Sequence, residues 1–277
     1  DLIVLDVGGA TTDLHSVTVE SDQVARLMIS PEPKAKRTVE GDLGVYVNRW
    51  KVVESIGEEK LREQCREQGF SMEHALETYR AIPKTEEEVK LVELLTREAV
   101  VKAAERHAGR QRYIYGPSGR STVAEGKDLT QVKYIVGTGG ALTRLPHREE
   151  IMREITRCNE SGMLLLPGEH AQILVDHDYI MASLGVLSKR YPQAAARLLE
   201  QSLGITFPER KAEEPVPVCN KELSRLETQR QQREEELQRH IEECEAMGYD
   251  MSAYRENKPK AGDCSHACSR CTRLHCP

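Results

Sequence analysis

The hydrophobic pattern at the start of the chain predicts two strands joined by a short turn. Leu2-Ile3-Val4-Leu5 is an unbroken apolar run typical of a buried strand, and residues 14–19 alternate apolar and polar positions. The sequence has no initiator Met and opens inside this core-strand pattern, whereas domains rarely begin there. We therefore expect the 277 residues to be the C-terminal portion of a longer protein.

Helical periodicity follows in two segments. Apolar residues recur at helical spacing over residues 42–56, and Gly57 is the expected end of that helix. A longer helix is predicted over residues 86–108, where Thr85 and Glu88 have the spacing of a capping box. Apolar residues nearly encircle its middle, so we expect it to be mostly buried.

The second half of the chain alternates further strands and helices. Gly/Pro-rich residues 116–119 suggest a hairpin between 113–115 and 121–124. Further strands are expected at 132–136, 163–166 and 172–175, and helices at 147–157, from an Asp178 cap to Leu187, and from Pro192 to Gly204. This alternation indicates α/β architecture.

Beyond residue 207 the composition changes. Residues 208–262 combine a Pro-rich linker with a polar helix over 221–247, and residues 263–277 form a Cys-rich tail. We therefore expect a main α/β domain over residues 1–207, then the linker and helix, then the tail.

Composition excludes two classes of partner. The net charge of −6 argues against a general nucleic-acid binder, since phosphate contacts need a basic face. The longest apolar runs are too short to span a bilayer, and no signal peptide is visible. We expect a cytoplasmic protein without nucleic-acid or membrane partners.

The turn after the first strand has the chemistry of a phosphate site. The segment is Asp6-Val7-Gly8-Gly9-Ala10-Thr11-Thr12-Asp13. Small residues let backbone N–H groups approach phosphate oxygens, the hydroxyls of Thr11 and Thr12 can donate to phosphate, and Asp6 and Asp13 can hold hydrated Mg²⁺ or orient a water. The alternative is a glycine hairpin with capping Thr and Asp residues.

A second glycine motif follows the strand at 132–136. Gly137, Gly139 and Gly140 permit close packing against a flat ring, and Arg144 could stack on a purine face. The alternative is an ordinary strand-to-helix turn. Neither motif has the spacing of a Rossmann fingerprint or of a P-loop.

In this order, the two motifs resemble the acetate/sugar kinase–Hsp70–actin ATPase superfamily, with its ribonuclease H-like lobes. The resemblance makes residues 6–13 the second phosphate-binding hairpin and residues 137–144 the adenosine motif, although one extra residue precedes Thr143-Arg144. Gly41 and Asp42 stand where such ATPases carry an acidic, glycine-rich nucleotide contact at a helix start. Alternatively, Asp42 is only the helix N-cap.

The amino-acid sequences of several segments resemble one family more closely. DVGGATTDLHSV, TVEGDLG, EGKDLTQVKYIVGTGGALT and DHDYIMASLGVLS are similar to the glutamate mutase accessory (GlmL/MutL) family over roughly residues 1–205. The resemblance implies an ATP- and Mg²⁺-dependent accessory or reactivating protein. Its partner would be a subunit of an adenosylcobalamin-dependent mutase, with nucleotide turnover driving exchange of damaged cobalamin.

The superfamily pattern is incomplete in this chain. Those ATPases bind nucleotide between two lobes, and their first phosphate motif has no counterpart in the 277 residues. We expect this chain to be mainly the second lobe and to need the N-terminal lobe of the same protein as its partner. An ATPase is therefore possible, but the chain alone should hydrolyse ATP poorly, because half of the phosphate clamp is missing.

The tail carries a separate candidate site. Cys264, Cys268, Cys271 and Cys276 have spacings that favour Zn²⁺ or an Fe–S cluster over disulfides, with unpaired thiols as the alternative. Two other functions stay open. One is an ATP-driven Fe–S activator of a radical enzyme, and the other is a non-catalytic scaffold that docks a mutase subunit.

Overall fold

A computed structural model describes residues 1–117, 119–159 and 161–206, and from the later chain residues 238–239, 241–243 and 245–246, which are helical. Its contacts divide the chain into Asp1–Phe207 and Pro208–Pro277. The predicted linker, most of the predicted helix at 221–247 and the four tail cysteines (Cys264, Cys268, Cys271, Cys276) lie outside the described residues.

A mixed five-stranded sheet organises the first unit. The strands of the unit are β1 (Leu2–Val7), β2 (Thr12–Val17), β3 (Ala35–Glu40), β4 (Arg110–Gly116), β5 (Gly119–Glu125), β6 (Tyr134–Thr138) and β7 (Gln172–Val175). The sheet has the order β3-β2-β1-β6-β7, and β4 and β5 form a separate hairpin. The β1–β2 and β2–β3 pairs are antiparallel, whereas β1–β6 and β6–β7 are parallel. The α/β architecture expected from the sequence is confirmed.

Helices connect and cover these strands. They are α1 (Asp22–Ala25), α2 (Arg49–Ile56), α3 (Glu58–Glu67), α4 (Met72–Glu77), α5 (Glu86–His107), α6 (Gly139–Arg144), α7 (Arg148–Arg153), α8 (Met181–Leu187) and α9 (Pro192–Leu203), with a 3-10 turn at Glu154–Thr156. The capping box of α5 is present, with Thr85 accepting from the Glu88 N–H and Glu88 accepting from the Thr85 N–H. Pro192 opens α9, and Gly204 ends it in the left-handed conformation.

The main core lies between α5 and one face of the sheet. Ile3, Leu5 and Val7 alternate along β1 and are fully buried on this face, where Leu14 of β2 joins them. Each such side chain contributes about 1.5–3 kcal/mol by leaving water. The fit fixes the register of β1 against β2, because a shift by one residue would expose the apolar set.

The opposite face of the sheet is covered unevenly. Helices α8 and α9 bury Val136 and Leu174 together with Leu203 on the β6–β7 side. The outward positions of β2 and β3 remain open, and Val17 and Val39 are exposed there. The side chains of His15, Val17, Arg37 and Val39 on this outward face are therefore accessible to solvent.

Three sequence expectations are corrected by the structure. The helix expected from residue 42 begins only at Arg49, since the N–H groups of residues 45–47 bond to another segment instead of to a helix. Residues 163–166 make an isolated bridge to Arg110 and no strand. Asp178 does not cap α8, because the carboxylate of Asp176 accepts the N–H groups of Ile180 and Met181.

A buried lysine fixes the long connection between β2 and β3. The Lys127 ammonium is 1% exposed and donates to the carbonyls of Thr18 at 3.1 Å, Pro33 at 2.7 Å and Lys34 at 3.1 Å. Burial lowers the pKa of Lys127, but these carbonyl acceptors partly replace the water that the ammonium loses. The contacts hold the start of β3 in place.

His107, at the end of α5, is fully buried against the sheet. Its Nε2 lies 2.8 Å from Ser16 Oγ on β2, and its Nδ1 lies 2.9 Å from Thr38 Oγ1 on β3. Burial, with the positive charges of Lys36 and Lys127 nearby, lowers the pKa of His107 to about 4. The imidazole is therefore neutral in the folded protein near pH 7.

This depressed pKa predicts a loss of stability in mild acid. Between pH 6.5 and pH 4 the unfolded chain binds a proton at His107 that the folded chain does not, so stability falls as the pH drops, by about 1.4 kcal/mol per unit and about 3 kcal/mol in total. Urea unfolding at pH 7 and pH 4.5 measures the effect. His107→Gln should reduce this pH dependence, whereas His74→Gln, at an exposed histidine of α4, should keep it. An unchanged dependence in His107→Gln would contradict the assignment.

Candidate functional site

In the turn between β1 and β2, the backbone carbonyls and the backbone N–H groups have different partners. The Gly8 N–H donates to the Thr11 carbonyl at 2.9 Å, which closes the turn. The Gly8 and Gly9 carbonyls accept the N–H groups of residues 45–47 at 2.7–3.2 Å, and the Ala10 carbonyl accepts from Asn48 Nδ2 at 2.8 Å. The carbonyls of the turn are thus engaged by one neighbouring segment.

The amide groups of the same turn remain available. The N–H groups of Gly9, Ala10 and Thr11 bond to no residue that the structure describes. Gly9 and Ala10 are exposed, and Thr11 is half-buried. Successive free amides whose carbonyls are held away form a concavity suited to an anion.

The segment that holds the turn is the 41–48 loop. Gly44 packs against Ala10 so closely that a Cβ on Gly44 would lie 2.2 Å from the Ala10 carbonyl carbon. The Leu43 carbonyl accepts the Thr12 hydroxyl at 2.8 Å, and Asn48 also donates to the Gly41 carbonyl at 2.7 Å. Thr12 is fully buried by this contact. The sequence predicts that the Thr12 hydroxyl donates to phosphate. In this structure it joins the 41–48 loop to β2 instead.

An aromatic cluster supports the far side of the 41–48 loop. The guanidinium of Arg49 lies 5.3–5.7 Å from the ring centres of Tyr46, Trp50 and Tyr79 and donates to the Tyr46 carbonyl at 2.9 Å. The Tyr79 hydroxyl donates to the Val45 carbonyl, and burial raises the pKa of Tyr79. Such cation–π contacts stabilise a loop without an acidic partner.

Asp42 forms a charged contact instead of a helix cap. Arg106 of α5 binds both Asp42 carboxylate oxygens, at 2.7 and 2.8 Å, and also the Glu40 carboxylate at 2.7 Å. The hydrogen bond from Arg106 lowers the pKa of Asp42. The N-cap alternative for Asp42 is wrong, and no helix starts at Gly41, because α2 begins with Asn48 as its N-cap. Arg106 instead ties the loop to α5.

The two predicted catalytic carboxylates meet at the base of the turn. Asp6 and Asp13 are direct partners across the antiparallel β1–β2 pair, where like charges repel. Burial raises the pKa of Asp6, and the charge of Asp13 adds to the effect. Asp13 is held by Arg37, whose Nη2 lies 2.7 Å from Asp13 Oδ1, and by the Thr11 hydroxyl, which lies 3.1 Å from Oδ2.

The second glycine motif lies beside Asp6. Gly139 has φ +85, and a Cβ there would lie 2.4 Å from Asp6 Oδ1 and 2.6 Å from the Val7 carbonyl, so glycine is required. Gly140 is exposed, with no atom within 4 Å of the position of a Cβ. Gly137 is buried beneath Met152, so packing alone accounts for that glycine. Arg144 is exposed at the end of α6.

A buried carboxylate links the second motif to α8 and α9. Asp176 accepts from Thr138 at 2.8 Å, from Ser202 at 2.6 Å and from the N–H groups of Ile180 and Met181. Burial alone would raise the pKa of Asp176, but these hydrogen bonds outweigh burial and lower it. Asp176 thus joins the end of β6 to α9 and to the start of α8.

Sequence reasoning missed four side chains that organise this site: Arg37, Asn48, Arg106 and Asp176. Arg37, Asn48 and Arg106 act on residues far away along the chain, whereas Asp176 also accepts from residues four and five positions further on. Charge in a predicted strand or helix gives no indication of a distant partner. Asp176 did have a local signal, a carboxylate just before α8, but the cap was predicted at Asp178.

The carboxylates of Asp6 and Asp13 are oxygen ligands of the kind that Mg²⁺ uses. The described residues contain no group of three or more His, Cys, Asp or Glu side chains that could hold a metal. Two facing carboxylates beside free amides nevertheless fit Mg²⁺, which is commonly bound through one or two carboxylates plus phosphates and water. Across the described part of the chain, no helix is long and apolar enough to cross a membrane.

The sequence matches a protein family and a curated relative. The sequence profile of the family described as MutL protein matches residues 1–203. Protein MutL of Clostridium tetanomorphum is 35% identical over 209 residues, which is 73% of this chain and 45% of that protein. The chain thus spans less than half the length of this relative. The resemblance to the GlmL/MutL family expected from the sequence is confirmed, and the chain belongs to the MutL protein family.

Proposed function

We propose that this chain is the nucleotide-binding lobe of an ATP-dependent accessory protein for an adenosylcobalamin-dependent aminomutase of the glutamate mutase type, in which nucleotide turnover is coupled to cofactor exchange. The observation that carries the proposal is the turn at Gly8–Thr11. Its carbonyls are engaged, its amides are free, and two carboxylates and the Gly139–Gly140 corner lie beside it.

The sheet topology supports an actin-like lobe. If the five strands of the sheet are numbered 1 to 5 along the chain, their order across the sheet is 3-2-1-4-5. The second strand is antiparallel to both of its neighbours. Ribonuclease H-like lobes share this arrangement. The turn and α6 lie at the ends of the adjacent parallel strands β1 and β6, where ligands of α/β sheets commonly bind.

The residues of the turn have distinct roles in this proposal. The amides of Gly9, Ala10 and Thr11 bind phosphate oxygens, and the Thr11 hydroxyl adds a further donor. Asp6 and Asp13 would hold Mg²⁺, which would neutralise phosphate charge when bound. The raised pKa of Asp6 also suits a group that orients a water and accepts its proton.

The α6 corner is the proposed adenosine site. Gly140 leaves open space where a ring can approach, and the exposed Arg144 can stack on a purine face. Gly139 acts differently, since its close contact with Asp6 couples this corner to the phosphate turn. The 41–48 loop, with Gly41 and Asp42, supports the turn from its other side.

The remainder of the ATPase is proposed to lie outside these 277 residues. The matched region covers 45% of the Clostridium relative, and a first phosphate motif is absent from the sequence. We propose that a preceding lobe supplies it, so the full-length gene product is the form to assay.

The same substitution at two exposed helical glycines distinguishes loss of nucleotide binding from misfolding. Gly140→Asp puts a side chain and a negative charge into the proposed adenosine space without a clash, and it should weaken MgATP binding at least about 10-fold, or 1.4 kcal/mol. Gly185→Asp makes the same change at another exposed helical glycine with open space, in α8, and should leave binding unchanged. Isothermal titration of the full-length gene product measures both.

Two results would contradict the proposed site. Equal MgATP binding by wild type and Gly140→Asp would exclude the α6 corner. Failure of the wild type to bind MgATP would reject a nucleotide function altogether and would favour a scaffold.

The coupling to cobalamin is tested with a mutase. We expect MgATP to accelerate the replacement of cyanocobalamin by adenosylcobalamin on glutamate mutase in the presence of the full-length gene product. The absorbance of released cyanocobalamin measures the exchange. Gly140→Asp should lose this acceleration, and a non-hydrolysable ATP analogue should not support it. Exchange at the same rate without nucleotide would contradict a nucleotide-driven role.

The tail metal remains a prediction from the sequence alone. If Cys264, Cys268, Cys271 and Cys276 bind Zn²⁺ or an Fe–S cluster, anaerobically purified protein should contain stoichiometric zinc or iron by elemental analysis. Cys268→Ser/Cys271→Ser should lose it, whereas Cys65→Ser, at a buried cysteine of α3, should keep it. Metal-free wild-type protein would reject the site.

A further inference from the structure

An arginine on the open face of the sheet contacts one of the two proposed Mg²⁺ carboxylates. Arg37 lies on β3, and its Nε and Nη2 donate to Asp13 Oδ1 at 3.1 and 2.7 Å. The side chain of Arg37 is 61% exposed, whereas that of Asp13 is only 13% exposed. The pair therefore lies at the surface, with the carboxylate on its inner side.

The other oxygen of Asp13 has a different partner. The Thr11 hydroxyl donates to Asp13 Oδ2 at 3.1 Å. The carboxylate is thus fixed at both oxygens, by the guanidinium of Arg37 at one and by a hydroxyl of the phosphate turn at the other.

These two partners behave differently when a phosphate arrives. A hydroxyl has one proton, so Thr11 releases Asp13 Oδ2 when it donates to a phosphate oxygen. Asp13 Oδ2 is then free to accept a cation or a water, and Arg37 remains as the contact that keeps the carboxylate in its orientation. Arg37 uses two N–H groups on one oxygen, which restricts rotation of the carboxylate more than a single bond would.

The pair contributes more to orientation than to stability. An exposed ion pair is worth about 1 kcal/mol or less, and Arg37 is on an edge strand whose outward face is open. The positive charge also offsets the repulsion between Asp6 and Asp13, which face each other directly. Loss of Arg37 should therefore change the geometry of the carboxylates more than the fold.

On these contacts, and resting on the proposed function, we propose that Arg37 is a positioning residue that holds Asp13 in the orientation required to bind the Mg²⁺ of a bound nucleotide. Arg37 itself touches neither the metal nor the phosphates. Arg37 should therefore affect how much Mg²⁺ increases the affinity for ATP, because only Mg²⁺ binding requires this orientation of Asp13.

The test compares ATP affinity with and without Mg²⁺ in the full-length gene product. Titrations of ATP in excess Mg²⁺ and in EDTA, both at physiological ionic strength, give the ratio of the two dissociation constants. Arg37→Ala should reduce this ratio about 10-fold, while ATP affinity in EDTA changes less than about 3-fold. Arg37→Lys should recover part of the ratio, because it keeps the charge and loses the paired contact.

The adjacent strand position offers a matched control. Lys36 precedes Arg37 on β3, faces the other side of the sheet and pairs with Glu32 at 3.7 Å. Lys36→Ala removes the same charge and should leave the ratio unchanged. Thermal unfolding of both variants should show that each remains folded.

The outcomes separate the inference from the proposed function. An unchanged ratio in Arg37→Ala, an equal drop in Lys36→Ala, or an equal loss of affinity with and without Mg²⁺ would each overturn the positioning role while wild-type ATP binding stands. Absence of ATP binding by the wild type would overturn the proposed function and this inference with it.

Discussion

The hydrogen bonds between the 41–48 loop and the turn after β1 are the constraint on which the site depends. The loop takes the carbonyls of Gly8, Gly9 and Ala10, and the turn therefore keeps its amides outward. Gly44 makes this approach possible, because any larger residue there would collide with Ala10. Arg106 and the aromatic cluster around Arg49 in turn hold the loop in place.

Strand pairing explains how separate segments of the chain form one site. The β1–β2 register brings Asp6 opposite Asp13, and the parallel β1–β6 pairing brings Gly139 against Asp6. Asp176 then connects the end of β6 to α8 and α9 through Thr138 and Ser202.

The sequence predicted the parts of the fold whose pattern is local. The apolar run of β1, the capping box of α5 and the Gly204 stop of α9 all depend on nearby residues. β3 was not predicted, because an edge strand with the sequence AKRTVE has little apolar alternation. The 41–48 loop was predicted as helix, since its spacing is helical and only tertiary bonds to the turn prevent that structure. The sequence alone located both glycine motifs. The contacts of Arg37 and Asn48 could be identified only from the folded structure, because their partners lie far away along the chain.

We propose that the outward amides of the turn bind phosphate. The most direct measurement follows the backbone amide resonances of Gly9, Ala10 and Thr11 by NMR while MgATP is added to the full-length gene product. These three resonances should shift with saturation, whereas those of Gly116 and Gly119 in the β4–β5 turn should not. Nucleotide binding that leaves the three amides unperturbed would contradict this proposal.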